Sequence, residues 1–124
     1  MIFGTGTDII EVVRVDNHIS KNNGFREKIF TEREIKYCES KKNKGQHYAA
    51  RFAAKEAFFK AIGTGWRNGM AFNEIEILNN ELGKPEIILH GKTKEYSKQQ
   101  EINNIHVSLS HIKDFVNAVI ILEK

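Results

Sequence analysis

The chain has 124 residues, 40% hydrophobic and 28% charged, which suits a single globular domain spanning residues 1–124 and leaves too little chain for two ordinary ones. No apolar run approaches the roughly 20 residues of a membrane span, the N-terminus carries no signal-peptide pattern, and the lone Cys38 excludes an internal disulfide and a cysteine-built metal cage. A cytoplasmic protein with no membrane partner is expected. The net charge of +3, from 19 Lys and Arg against 16 Asp and Glu, suits a phosphate-bearing ligand or an acidic partner. It suits an ordinary solvated surface equally well and does not indicate nucleic acid.

The apolar, β-branched stretch Met1 to Ile10 reads as a first strand. A short helix follows from Arg14 to about Ser20, with Asn22-Asn23-Gly24 as its terminator. Thr31 and Glu34 form a capping box that starts a helix from about Glu32 to Lys41, and Lys42-Asn43-Lys44-Gly45 breaks it. Gln46 to Ile62, rich in Ala, Lys, Glu and Phe, is the strongest helix and stops at Gly63. After a loop from Gly63 to Gly69, the strands Glu74 to Leu78 and Pro85 to Leu89 form a hairpin around the turn Asn79 to Gly83. A polar helix from Lys92 to Glu101 precedes the strands Ile105 to Ser110 and Phe115 to Leu122, joined by the turn His111 to Asp114. The fold class is α+β, one long helix packed on a mainly antiparallel sheet.

Three places could carry chemistry. In Gly4-Thr5-Gly6-Thr7-Asp8 the period of a strand puts both glycines and Asp8 on one face. The glycines bare the backbone there, so that a ligand or another backbone can come close beside one carboxylate. Asp8 merely ending a strand is the plain alternative. On the long helix, Tyr48, Phe52, Phe59 and Ile62 form an apolar stripe extended by Ala49 and Ala53. Glu56 falls inside that stripe, where a carboxylate is costly unless paired or bound to a cation. Lys60, four residues on, could simply pair with it. Arg51 and Lys55 carry like charge at the same spacing, a small penalty that a nearby polyanion would remove. The third place is the set of turns Gly63-Thr64-Gly65, Gly83-Lys84-Pro85 and Ser108-Leu109-Ser110-His111. Two separated carboxylates suit a hard cation such as Mg²⁺, whereas the five histidines and one cysteine show no zinc-ligand spacing.

Gly4-Thr5-Gly6-Thr7-Asp8-Ile9, then Arg51-Phe52-Ala53-Ala54-Lys55-Glu56-Ala57 with Lys60, then Gly63-Thr64-Gly65, Gly83-Lys84-Pro85 and Ser108-Leu109-Ser110-His111 together resemble the holo-acyl-carrier-protein synthases. The resemblance covers essentially the whole chain. It implies transfer of 4′-phosphopantetheine from coenzyme A to a serine of apo acyl carrier protein in fatty acid biosynthesis, releasing adenosine 3′,5′-bisphosphate. It further implies Mg²⁺ on Asp8 and Glu56, Lys60 near the reacting phosphate, and Arg51 and His111 on the 3′-phosphate ADP portion. Gly63, Gly65, Lys84 and Pro85 would line the coenzyme A cleft, and Arg14, Lys21 and Arg26 would meet the acidic carrier protein. A homotrimer with interfacial active sites is implied too. Thr7, Ile112 and Glu74 depart from the family's usual residues. Alternatives are the same chemistry on carrier domains of secondary metabolism, or a non-catalytic nucleotide- or nucleic-acid-binding module. The latter is disfavoured by the lack of an aromatic-and-basic strand pattern.

Overall fold

The computed structural model describes residues 1–65 and 69–124, so the expected loop 63–69 lies partly outside the described residues. Strand β1 (Ile2–Glu11) leads directly into helix α1 (Val12–Ser20), which starts two residues before Arg14. A five-residue helix α2 (Phe25–Ile29) follows Gly24, where neither a side-chain cap nor an apolar period announces one. Helix α3 (Glu32–Glu39) starts at the expected capping box, with the Thr31 hydroxyl accepting from the Glu34 amide and the Glu34 carboxylate accepting from the Thr31 amide. Helix α4 (Lys44–Ile62) begins two residues early and ends at Gly63. The hairpin is β2 (Ile75–Asn79) with β3 (Pro85–Leu89), preceded by a 3₁₀ turn at Phe72–Glu74 that displaces Glu74 from the expected strand. Helix α5 (Gly91–Gln99), β4 (Asn104–His111) and β5 (Phe115–Glu123) complete the chain, and His111 is the last residue of β4 rather than part of a turn.

All strand pairs are antiparallel, but they form two sheets instead of one: β1-β5-β4 and the hairpin β2-β3. Along β5, Val116, Ala118, Ile120 and Leu122 are buried and alternate with the outward residues Phe115, Asn117, Val119 and Ile121, the period-two pattern of a sheet with one covered face. Gly6 pairs with Ile120 and Asp8 with Ala118, so both lie on the covered face. Helix α4 lies across that face. A methyl group at Gly6 would overlap the carbonyl oxygen of Ala57, and one at Gly4 that of Ala61. The strand glycines therefore admit another backbone, that of α4.

The single apolar stripe expected on α4 is corrected by the structure. Tyr48, Ala49, Ala53, Ala54, Ala57, Phe58, Phe59, Ala61 and Ile62 are buried around nearly its whole circumference, while Phe52 and Glu56 are half-buried. The sheet covers one side and α1 and α3 others, which the small alanines allow. Arg51 and Lys55 are buried as well; Lys55 has an anionic partner, whereas Arg51 donates to a neutral amide and its Nε is buried without a partner among the described residues. Lys55 Nζ donates to Glu34 Oε1 at 2.8 Å, and the Ile77 amide donates to Glu34 Oε2 at 3.0 Å. Glu34 thus serves α3, α4 and β2 at once. Cys38 is fully buried nearby, and burial pushes its thiol up to about 12.

The contact between β1 and α4 is checked by Gly6→Ala. Forcing a methyl into a backbone contact should cost about 1–3 kcal/mol, read as a lower urea midpoint at unchanged slope. A midpoint equal to that of the unaltered chain would show that strand and helix separate without penalty.

Candidate active site

β1 delivers Asp8 and α4 delivers Glu56 and Lys60 to one place, because the glycine contact lies just before Asp8 on the strand. Lys60 Nζ donates to Asp8 Oδ1 at 3.0 Å and to the Thr7 carbonyl at 3.0 Å. The lysine therefore bridges helix to strand and is not the intrahelical partner of Glu56. Asn117 on β5 holds the strand from the other side, its amide donating to the Asp8 carbonyl at 3.1 Å and to Thr7 Oγ1 at 3.2 Å. Glu56 receives no hydrogen bond or ion pair among the described residues. Burial, then the Asp8 charge, push its carboxyl above the usual glutamate range, and Lys60 opposes them only in part.

Asp8 and Glu56 share a cavity of about 350 Å³, also lined by Ile10, Arg14, Val15, His18, Phe25 and Phe52. It holds two carboxylates, one already paired with lysine and the other without a donor. No group of three or more metal-ligating side chains gathers among the described residues, so an all-protein cage of the zinc kind is not formed. An open pair of carboxylates is the donor set of a hard divalent cation that completes its shell with water and phosphate oxygens.

The chain as a whole matches a known family. The model of the 4′-phosphopantetheinyl transferase superfamily matches residues 4–119. The chain belongs to this superfamily. It is 46% identical to the holo-[acyl-carrier-protein] synthase of Geotalea daltonii, over 100% of both chains. It is 52% identical to that of Ruminiclostridium cellulolyticum, covering 94% of this chain and 89% of the relative. Among solved structures, the holo-[acyl-carrier-protein] synthase of Neisseria meningitidis matches with a TM-score of 0.92 at 36% identity over 100% of both chains. That of Bacillus anthracis, in complex with CoA (3′,5′-ADP), matches with a TM-score of 0.81 at 37% identity, covering 98% of this chain and 96% of the other.

Against this superfamily background, the remaining site residues divide between places. Arg14 is exposed on α1 at the cavity rim, and Lys21 is exposed at that helix's C-terminal end. Arg26 is half-buried and paired with Glu27 and Glu39, so it presents less free charge than its residue type suggests. Arg51 is not a surface cation at all. The residue is 2% exposed, and its guanidinium donates to Asn79 Oδ1 at 2.7 Å and lies 4.4 Å from the centre of the Tyr37 ring. Asn79 in turn donates to the Gly83 carbonyl at 2.8 Å, which ties Arg51 to the turn bearing Lys84 and Pro85. Lys84 is exposed there, and Pro85 opens β3.

Gly63 and Gly65 follow α4, and residues 66–68 lie outside the described residues. His111 hydrogen-bonds Gln46 and lines a separate cavity of about 760 Å³ with Lys42, Lys44 and Lys113. Within one chain it is not brought to Asp8 and Glu56. Glu74 accepts from the Ala71 and Lys92 amides and from Thr93 Oγ1, clamping the start of α5. The cavity residues that sequence reasoning missed are His18, Phe25 and Phe52 as walls. Phe25 contacts His18 across the turn between α1 and α2 and Phe52 on the distant α4, tertiary contacts that leave no periodic signal in the sequence.

The raised carboxyl of Glu56 sets a sign for stability. The ionised form is disfavoured in the folded chain, so stability declines as pH rises above the ordinary value of 4.5 and then levels off once Glu56 has ionised in the fold. In the absence of divalent cations, Glu56→Gln should therefore raise the melting temperature at pH 7, and the gain should shrink as the pH falls to 4. A variant that melts at or below the unaltered chain at pH 7 would contradict this electrostatic account.

Proposed function

We propose that the chain transfers the 4′-phosphopantetheine arm of coenzyme A to a serine of apo acyl carrier protein. The observation that carries this reading is the meeting of Asp8 and Glu56 at one cavity, with Lys60 bonded to Asp8, in a chain that belongs to the transferase superfamily. The serine oxygen forms a bond to the β-phosphorus of coenzyme A, the bond from that phosphorus to the bridging oxygen breaks, and adenosine 3′,5′-bisphosphate leaves with the electron pair. Phosphoryl-type transfer asks a protein chiefly for alignment and for neutralisation of charge on the phosphate oxygens.

The chain's own groups suit those tasks. Lys60, 55% exposed although paired with Asp8, can reach an incoming phosphate oxygen. Arg14 at the rim offers a fixed positive charge to an acidic carrier. Asp8 and Glu56 fit Mg²⁺ and would hold it; when bound, the ion would offset negative charge on the pyrophosphate. The unpartnered and electrostatically disfavoured state of Glu56 supports that fit.

The reading extends to a homotrimer. Ile9, Phe115 and Val119 are 67%, 40% and 36% exposed and share the outer face of the three-stranded sheet by register. An apolar face of this kind suits burial against a second copy. His111 and its neighbouring lysines, remote from Asp8 within one chain, suit a site completed across such an interface. The free, buried Cys38 suits a reducing compartment, so a cytoplasmic location belongs to the same proposal. Among the described residues no helix is long and apolar enough to cross a membrane.

The direct test is intact-mass analysis of apo acyl carrier protein incubated with the chain and coenzyme A, with Mg²⁺ or with EDTA. A phosphopantetheine mass gain in the Mg²⁺ sample alone is expected, and its absence with several carriers would remove the assignment. Asp8→Ala and Glu56→Ala should each lower turnover by at least about 10²–10³-fold while the protein stays folded. Normal turnover in either would eliminate the cation site. Arg14→Glu should raise KM for the carrier and leave KM for coenzyme A in place, because it reverses a rim charge used in encounter. An unchanged carrier KM would take Arg14 off the docking surface.

A further inference from the structure

Helix α4 must present Glu56 to β1; the Gly4 and Gly6 contacts seat one side of the helix on the strand, and its opposite side faces α3 and the β2 hairpin. It is buried almost all round, by Ala49, Ala53, Ala54, Ala57 and Ala61 together with the larger Tyr48, Phe58, Phe59 and Ile62. Apolar contacts are non-directional, and cores held by them alone lose uniqueness before they lose stability. A more directional contact is required.

Lys55 supplies one. It neighbours Glu56 in sequence and points about 100° away around the helix. Its ammonium donates to Glu34 Oε1 at 2.8 Å, to the Phe72 carbonyl at 3.0 Å and to the Ile75 carbonyl. Both side chains of the ion pair are 0% exposed. Glu34 is itself held by the Thr31 amide at 2.9 Å and the Ile77 amide at 3.0 Å. Three elements (α3, the 3₁₀ turn and β2) thus converge on one nitrogen. The Phe72 ring stacks on Phe52 with centroids 5.7 Å apart, and Phe52 is a wall of the Asp8–Glu56 cavity. The ammonium that fixes the helix also fixes a wall of the site. Buried ion pairs are weak sources of net stability, and their best-attested use is to select one arrangement among near-equivalent ones.

We propose that the Lys55–Glu34 pair is a positioning device for the active site, setting the roll of α4 so that Glu56 stands opposite Asp8. This rests on the transferase reading of that cavity.

The test compares the unaltered chain with the double variant Glu34→Gln/Lys55→Met, which is uncharged at both positions and close to the original volumes. The glutamine side chain keeps an acceptor oxygen for one of the two backbone amides, those of Thr31 and Ile77, that the carboxylate serves. Lys55→Met alone would strand a buried carboxylate and unfold more readily, so the double variant carries the experiment. Glu34→Asp, which keeps both charges and shortens the reach, is the second variant. Three quantities are measured: cooperative melting, Mn²⁺ affinity by electron paramagnetic resonance of the free ion, and kcat and KM for transfer. Both variants are expected to melt cooperatively. Mn²⁺ affinity and kcat should fall together, by about 10²-fold in the double variant as expected for a misplacement near 1 Å, with a smaller change in KM for coenzyme A. Either variant, folded and with unaltered Mn²⁺ affinity and kcat, would overturn the proposal. If the unaltered chain binds no Mn²⁺ and transfers nothing, the transferase reading fails first and takes this inference with it.

Discussion

Helix α4 settles on β1 at backbone distance because Gly4 and Gly6 carry no side chain to hold it off, and that single approach places three charges at once. Asp8 follows Gly6 by two residues and therefore shares its face. Glu56 and Lys60 sit one turn apart on the helix, to either side of Ala57, whose carbonyl Gly6 admits. A strand with ordinary side chains at positions 4 and 6 would stand off by the thickness of a methyl group, and Lys60 would lose its hold on Asp8. The geometry of the site is thus inherited from a packing contact, and the contact is inherited from the lack of two Cβ atoms.

Once drawn together, the charges do not balance. One lysine serves two carboxylates, and its hydrogen bonds go to Asp8 and the Thr7 carbonyl. Glu56 is left half-buried beside a like charge, a state that stability alone would not select. The other buried carboxylates among the described residues, Glu34 and Glu76, are matched by donors. Glu76, 2% exposed, is held by Thr31, Arg33 and His90; burial would raise its carboxyl, but these donors bring it down to about 2. The contrast between a saturated Glu76 and a neglected Glu56 is what separates structural from functional acidity here.

What could be read from the sequence followed how local each signal was. Strand β1, helix α4 and the Thr31–Glu34 capping box are written in neighbouring residues, and they formed within about two residues of the expected limits. The role of Gly4 and Gly6 was half legible, since bare backbone was evident but its occupant was not. Helix α2 gave no cap and no period, because five residues are held by tertiary contacts such as those of Phe25 with Phe30 and Phe52. The partner of Lys60 was hidden by a plausible closer one, Glu56. Glu34 was recognised for its cap, which already explained it, so nothing suggested its second bond to Lys55. Arg51 looked like a free cation because a string of residue types does not display burial.

Cys38 has a practical use for anyone wishing to watch this protein move. Fully buried and with its thiol pushed to about 12, it holds almost no thiolate at neutral pH, and the thiolate is the form that reacts with maleimides and iodoacetamides. The native chain is therefore a quiet background for labelling. One cysteine introduced at an exposed position such as Leu82, 95% exposed on the hairpin turn, would take a single fluorophore beside Gly83-Lys84-Pro85 without the native cysteine first being removed.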